Sequence, residues 1–454
     1  MIQTAFQRLT NILDRPRTIF YIMVLALALR SGALWIFQDK PIINDAIAYH
    51  NISLVLLEDQ ERSYFWPPGL PLYLSLMHRI WGASQLSSRV AMLVLSLMLI
   101  MCIYLVIKNL GSTRTANLAA GLFAVYPNYI YQSVTPLTQP LTALLLVVTF
   151  FLVIKTVDLK DVTSALGTGL TVGYLTLVRA SSVLFVFVMP IYIWFKTKRL
   201  MLVLASLLAV GIPVGAWTYY AYQNSGRFVF INDANTTNFF RGNNPWTPLY
   251  RTWWFGTHTS VDDGVPEAYR ELNRFLFSQS VEQRDRAFMD YTLKYIFERP
   301  DLFIIRTLSR IRCYFAFDTF TAATVIKDYK MGIIPGLIVL GFDALVYMTI
   351  MLLMILALFQ PGGILQSRLT IIALGMALLY ALPYFISWAH PTYHFPVMPL
   401  LMIASLDLVD GKHLPQNGLL NKPRRKWGIV LALAVLLYIQ IEWVVVSFSR
   451  LGGS

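Results

Sequence analysis

Apolar runs of 15 to 24 residues alternate with short polar stretches along almost the whole chain. A membrane-spanning helix needs about 20 mostly apolar residues. On that measure the candidate spans are Thr18–Phe37, Val90–Ile107, Ala116–Val134, Leu137–Ile154, Ser164–Val178, Ser181–Phe195, Leu200–Tyr220, Pro335–Leu358, Leu369–Trp388, Phe395–Val409 and Trp427–Ser447. The expected fold is therefore an all-α polytopic membrane bundle of about 11 spans (range 10–13), with juxtamembrane helices outside the cytoplasm. Ser164–Phe195 reads as a tight hairpin with Arg179 at its tip, or as one long helix. Thr18–Phe37 lacks a small-residue cleavage site and reads as a first span rather than a signal peptide.

Charge gives the layout a direction. With the N-terminus in the cytoplasm, the inward segments hold 16 Lys and Arg. The outward segments, apart from one long loop, hold 6. The positive-inside rule then predicts N-inside, C-outside and an odd number of spans. Only two outward regions are substantial. The first, residues 39–68, is acidic; the second, residues 223–334, carries 14 basic and 12 acidic residues. The expected organisation is an N-terminal transmembrane module over 1–222 with a catalytic first outward loop, an extracytoplasmic region over 223–334, and C-terminal spans over 335–454.

Composition agrees: 56% of the 454 residues are hydrophobic and 13% charged, against about 25% charged in soluble domains. The net charge of +13 is spread in small clusters between apolar runs, which topology explains and nucleic-acid binding does not. Cys102 and Cys313 stand at no metal spacing and give neither a disulfide framework nor a zinc site. No metal site is evident and no cofactor is predicted, although a divalent metal is not excluded.

The candidate chemistry gathers on the outward side. Asp45 opens an amphipathic helix running to about Leu57, and Tyr49 follows one turn later on the same face. A plain N-cap role for Asp45 is an equal alternative. Trp66-Pro67-Pro68-Gly69-Leu70-Pro71-Leu72-Tyr73 is a rigid turn into a second helix. Taken together, DAIAY (Asp45–Tyr49), PPGLPLY (Pro67–Tyr73), LTLVRASSVL (Leu175–Leu184), INDANTTNFFRGNNP (Ile231–Pro245) and AHPTYHFPVMP (Ala389–Pro399) resemble a known family. It is that of the GT-C fold glycosyltransferases using polyprenyl-phosphate sugars, the group of protein O-mannosyltransferases and lipid A aminoarabinose transferases. Three positions depart from its pattern: Ala46 stands where an adjacent acid is common, and Thr392 and His394 stand where the late turn has arginines.

The resemblance implies sugar transfer, with inversion, from a polyprenyl-phosphate donor to a lipid, glycan or protein acceptor outside the cytoplasm. Asp45 would be the base. Tyr49, Arg62, Arg179, Arg241, Asn243, Asn244, His390, Tyr393 and His394 would hold the substrate and its lipid phosphate. A departing phosphate ester needs positive charge rather than a proton, whereas the acceptor's proton needs a base. For each arginine by itself, interfacial snorkelling is the alternative. Arg30, inside the first span, either lines the lipid-phosphate cavity or pairs with Asp343. Trp246, Trp253, Trp254 and Phe255 read as an interfacial belt more readily than as a sugar platform. The expected setting is a bacterial inner membrane. The competing classes are a transporter or flippase of lipid-linked sugars, and a polysaccharide polymerase or ligase. The sequence has no internal repeat of the kind transporters show.

Overall fold

The computed structural model describes residues 11–58, 63–249, 265–360, 367–411 and 423–451, and every regular element among them is a helix. In chain order the first half comprises α1 (Thr18–Phe37), α2 (Asp45–Glu58), α3 (Gly69–Trp81), α4 (Gln85–Leu110), α5 (Thr113–Val125), α6 (Pro127–Tyr131), α7 (Thr138–Leu159), α8 (Val162–Val178), α9 (Leu184–Thr197) and α10 (Leu200–Ser225). Then follow α11 (Asn235–Gly242), α12 (Glu267–Ser278), α13 (Val281–Glu298), α14 (Pro300–Tyr314), α15 (Phe320–Ala323), α16 (Ile333–Leu358), α17 (Arg368–Ile386), α18 (Met398–Ala404), α19 (Leu406–Val409) and α20 (Pro423–Leu451).

Eight described segments are long and apolar enough to cross a membrane: α1, α4, α7, Ala180–Thr197, α10, α16, α17 and Pro423–Val445. The 17-residue α8 is a shorter apolar helix. The protein is an all-α, multi-pass integral membrane protein. Two of the eleven segments expected from the sequence are not continuous helices. Residues 116–134 divide into α5 and α6, and residues 395–409 divide into the end of a 3-10 turn (Pro391–Val397), α18 and α19.

The first division has a local cause. Pro127 opens α6, and Tyr126 before it is extended at φ −68°, ψ 114°, as a residue preceding proline prefers. The break frees carbonyls at the end of α5. Arg30, fully buried, donates to two of them, Ala124 O at 3.0 Å and Phe123 O at 3.1 Å, and to Ser96 Oγ at 2.8 Å. On the other side of the break, Asp343 Oδ1 accepts the backbone N–H of Asn128 at 3.0 Å. Arg30 therefore neither faces a phosphate cavity nor pairs with Asp343. Each charge caps one orphaned helix end, with the sign the helix dipole favours.

Elsewhere α8 packs on α10 through Gly169 and Gly173. A Cβ on Gly173 would come within 2.6 Å of the Pro213 ring and 2.8 Å of Val210 O, the close approach that small-xxx-small spacing permits. Helices α11 to α14 form the region beyond the spans, around Phe240, Trp246, Leu276 and Phe288. Trp246 is buried there against Tyr269, at 4.8 Å between ring centres. Trp253, Trp254 and Phe255 lie outside the described residues.

Candidate active site

The site starts from the short α2. Asn44, in the left-handed region at φ +55°, turns the chain so that Asp45 begins the helix with an exposed carboxylate. One turn on, Tyr49 is buried and packs edge-on against Trp66, 5.3 Å between ring centres. Trp66 leads through Pro67 and Pro68 to Gly69, the first residue of α3. Gly69 sits directly on the end of α8: a Cβ there would stand 2.5 Å from Val178 Cγ2 and 2.6 Å from Val178 N. The next residue is Arg179. The Pro-Pro-Gly turn and the Arg179 hairpin are thus pressed together by a contact only glycine allows.

Arg179 itself is extended (φ −143°, ψ 103°) between α8 and a 3-10 turn (Ala180–Val183), so the tip expected from the sequence is a real helix break. Its half-buried guanidinium lies 5.4 Å over the Tyr393 ring. Tyr393 stacks on Tyr384 at 4.6 Å, and the Tyr384 hydroxyl meets Tyr380 Oη at 3.2 Å and Ser181 Oγ at 3.0 Å. Tyr49 completes the wall within the field of Arg179. Burial raises the phenol pKa of both Tyr49 and Tyr393; Arg179 opposes that shift, and Asp45 adds to it. Asp45, Tyr49, Arg179 and Tyr393 therefore share one electrostatic environment. The Arg179 side chain makes no hydrogen bond or ion pair with any described residue, and its enclosed Nε has no acceptor among them. A guanidinium presents five N–H donors, so this recess offers donors and positive charge without a resident partner.

The remaining candidates have other surroundings. His390 opens the 3-10 turn half-buried, with Nδ1 2.9 Å from Thr392 Oγ1 and its ring 6.3 Å from that of Tyr393. His394 is buried, and its Nδ1 bonds the Tyr314 carbonyl at 2.9 Å; burial lowers its pKa to about 4. Arg241 stands over the Phe277 ring at 5.8 Å, and burial together with nearby Arg284 lowers its pKa. Asn243 Nδ2 donates to Ile386 O at 2.8 Å, and its Oδ1 accepts from Arg310 at 3.1 Å. Asn244 Nδ2 donates to Phe240 O at 3.0 Å, and its Oδ1 accepts from Trp246 N at 3.1 Å. Both asparagines brace the chain turn over the spans. Arg62 lies outside the described residues. Tyr380, Tyr384 and Ser181 were not singled out from the sequence. The (i, i+4) spacing of the two tyrosines within an apolar span places them on one helix face, which was the available signal.

Beside the hairpin an apolar groove of about 640 Å³ opens between α2, α3, α8 and α10, lined by Leu56, Leu72, Leu76, Tyr174 and Trp217 with Arg79 among them. Among the described residues no group of three or more His, Cys, Asp or Glu has metal-holding geometry.

Residues 66–217 match the family model of dolichyl-phosphate-mannose-protein mannosyltransferases. The match takes in Trp66, the Pro-Pro-Gly turn and Arg179, and covers about a third of the chain. No curated protein sequence matches. Among solved structures, the Archaeoglobus fulgidus oligosaccharyltransferase in complex with zinc and sulfate aligns over 93% of this chain and 51% of its own, at 13% identity and a TM-score of 0.44. The same enzyme in its apo form aligns over 94% and 55%, at 15% identity and a TM-score of 0.41. The chain spans about half the length of those proteins. Over residues 66–217 the chain is similar to that family, and those residues lie within an all-helical multi-pass fold.

Proposed function

We propose that the protein moves a sugar from a polyprenyl-phosphate donor to an acceptor on the extracytoplasmic side, by a single displacement with inversion. The observation that carries this reading is Arg179: a half-buried guanidinium with no hydrogen-bond or ion-pair partner among the described residues, walled by tyrosines, in the field shared with the exposed carboxylate of Asp45. The unpartnered cation suits the phosphate of the donor, whose negative charge grows as the glycosidic oxygen leaves. Asp45 suits the base that takes the acceptor's proton as the new bond forms. Tyr49 and Tyr393 then act as walls that orient the guanidinium and exclude water. His390 borders the same recess, and Arg62 and Arg241 remain proposals as further phosphate contacts. The apolar groove between α2, α3, α8 and α10 suits the polyprenyl chain, since its lining offers mostly carbon surface.

The orientation proposed is N-terminus in the cytoplasm and C-terminus outside, in a bacterial inner membrane. Residues 1–222 form the catalytic module, 223–334 its outward cover and 335–454 the closing spans. The acceptor is a lipid, glycan or protein. The test is a strain lacking the protein, with its surface glycans and lipids read by mass spectrometry and complemented by native or variant protein. Asp45→Asn, produced and inserted normally, should fail to restore the missing glycan. Full restoration by that variant overturns the assignment of the base. Movement of a lipid-linked sugar without any new glycosidic bond identifies a transporter instead.

A further inference from the structure

A second polar cluster is enclosed where α6 meets α16 and the turn after α14. Its centre is Asn128, whose backbone N–H goes to Asp343 Oδ1 at 3.0 Å and whose Nδ2 goes to Asp318 Oδ2 at 2.8 Å. Asn128 Oδ1 accepts from Gln132 Nε2 at 2.8 Å and from Thr321 Oγ1 at 3.3 Å. Asp318 also accepts from Phe320 N at 2.8 Å and Thr392 Oγ1 at 2.9 Å. Asn128, Gln132, Asp318, Thr321 and Asp343 are all buried, none more than 3% exposed.

Three features of this cluster require explanation. Two carboxylates are held by one asparagine, and neither forms an ion pair with a described Lys, Arg or His. Asp343 Oδ2 accepts from none of the described residues. Independently, the Oε1 of Gln132, whose side chain reaches back one turn to Asn128, also has no partner. The basic group whose field reaches Asp318 is His394, and its Nδ1 is bonded to the Tyr314 carbonyl. Arg30 is committed to carbonyls on the far side of the helix break. Two uncompensated carboxylates in a low-dielectric interior are costly, and each orphaned acceptor adds to that cost.

We propose that Asp318, Asp343 and the Gln132 carbonyl form a binding site for a hard divalent cation of the calcium type. Two carboxylates match a double positive charge. Oxygen-only donors suit calcium and disfavour soft metals. A cation there supplies positive charge to two carboxylates that lie in each other's field and ties α6, α16 and the turn after α14 together. Through Thr392 it also braces the 3-10 turn that carries His390 and Tyr393. This site is separate from Asp45 and does not depend on the proposed sugar transfer.

The test uses the full chain in lipid nanodiscs after chelation. Calcium is titrated while thermal unfolding and bound calcium are measured, with magnesium and sodium as separate arms. The expected result is a saturable rise of a few degrees in Tm with about one calcium per chain. The effect should vanish in Asp343→Asn and persist in Glu442→Gln, which alters a membrane carboxylate outside the cluster. If Asp343→Asn does not fold, Gln132→Leu serves in its place, and it should weaken calcium binding about tenfold or more. Absence of any cation response, with Asp343→Asn as stable as the native protein, overturns the proposal: a proton then neutralises the pair. A response to sodium alone overturns it as well.

Discussion

At the scale of the residue, the proposed chemistry divides between Asp45 and Arg179, and their substitutions should separate. Arg179→Gln removes the positive charge and should lower transfer by about 10²–10³-fold. Arg179→Lys keeps the charge but loses the planar fork, so it should fall between native and Gln in a transfer assay on isolated membranes. Equal activity of all three would remove Arg179 from the site. A different residue governs the response to acid. His50 is buried against Ser88 Oγ at 2.9 Å, which also lies 3.1 Å from His78 Nε2. Burial, with His78 and Arg89 adding to it, lowers the His50 pKa from 6.5 to about 4. The folded state therefore holds a neutral imidazole that the unfolded chain would protonate below about pH 6.5. Stability should be fully present at neutral pH and fall as pH drops from about 6.5 to 4, by up to about 3 kcal/mol from this group. His50→Gln should flatten that slope in thermal unfolding measured at pH 7 and pH 5. An unchanged slope would mean that other groups set it, buried His394 first among them.

Elements are held in place by two devices: glycine contacts and charges at helix breaks. Gly69→Ala pushes a methyl into the end of α8, and overpacking of this kind costs about 1–3 kcal/mol. Because Arg179 follows that contact directly, the variant should lose transfer activity even where it still folds. Arg30→Met should destabilise by about 1–3 kcal/mol, since it leaves the carbonyls of Phe123 and Ala124 buried without donors. Thermal unfolding in nanodiscs reads both changes. Helix breaks were the part of the fold least visible beforehand. Residues 116–134 and 395–409 are apolar enough to pass as spans; proline makes the break at Tyr126–Pro127, but Arg30 and Asp343, which satisfy the freed helix ends, arrive from distant helices. Arg179, by contrast, was legible as a break because a charged residue interrupts two apolar runs.

At the scale of the whole molecule, the proposed orientation places α12–α14 outside and the turn between α9 and α10 inside. Cysteine introduced at exposed Ser278 should react with a membrane-impermeant thiol reagent in intact cells. Cysteine at exposed Lys198 should react only after the membrane is opened. The reverse pattern would invert the topology and place Asp45 on the cytoplasmic side. The region of α11–α14 is more than a tether. Arg306 and Arg310 are buried and donate to the carbonyls of Thr247 and Gly242, clamping the turn after α11 over the ends of the spans.

What the sequence determined alone was the solvent and the register. Apolar runs of spanning length can be satisfied only as helices in lipid, and five short motifs lie in the order of a known family. That was enough to single out Asp45, Tyr49, Arg179 and Tyr393, which the fold brings into one neighbourhood. Tertiary structure alone decided which candidates have hydrogen-bonding capacity left over. Asn243, Asn244 and His394 bond inside the protein, whereas the Arg179 side chain has no such partner among the described residues. It also decided that Tyr380 and Tyr384 complete the recess and that Asp318 and Asp343 meet at Asn128. The physical reason is the same in each case. Hydropathy and motif spacing act along the chain, while the partner that satisfies or leaves free a buried polar group comes from a helix far away in sequence.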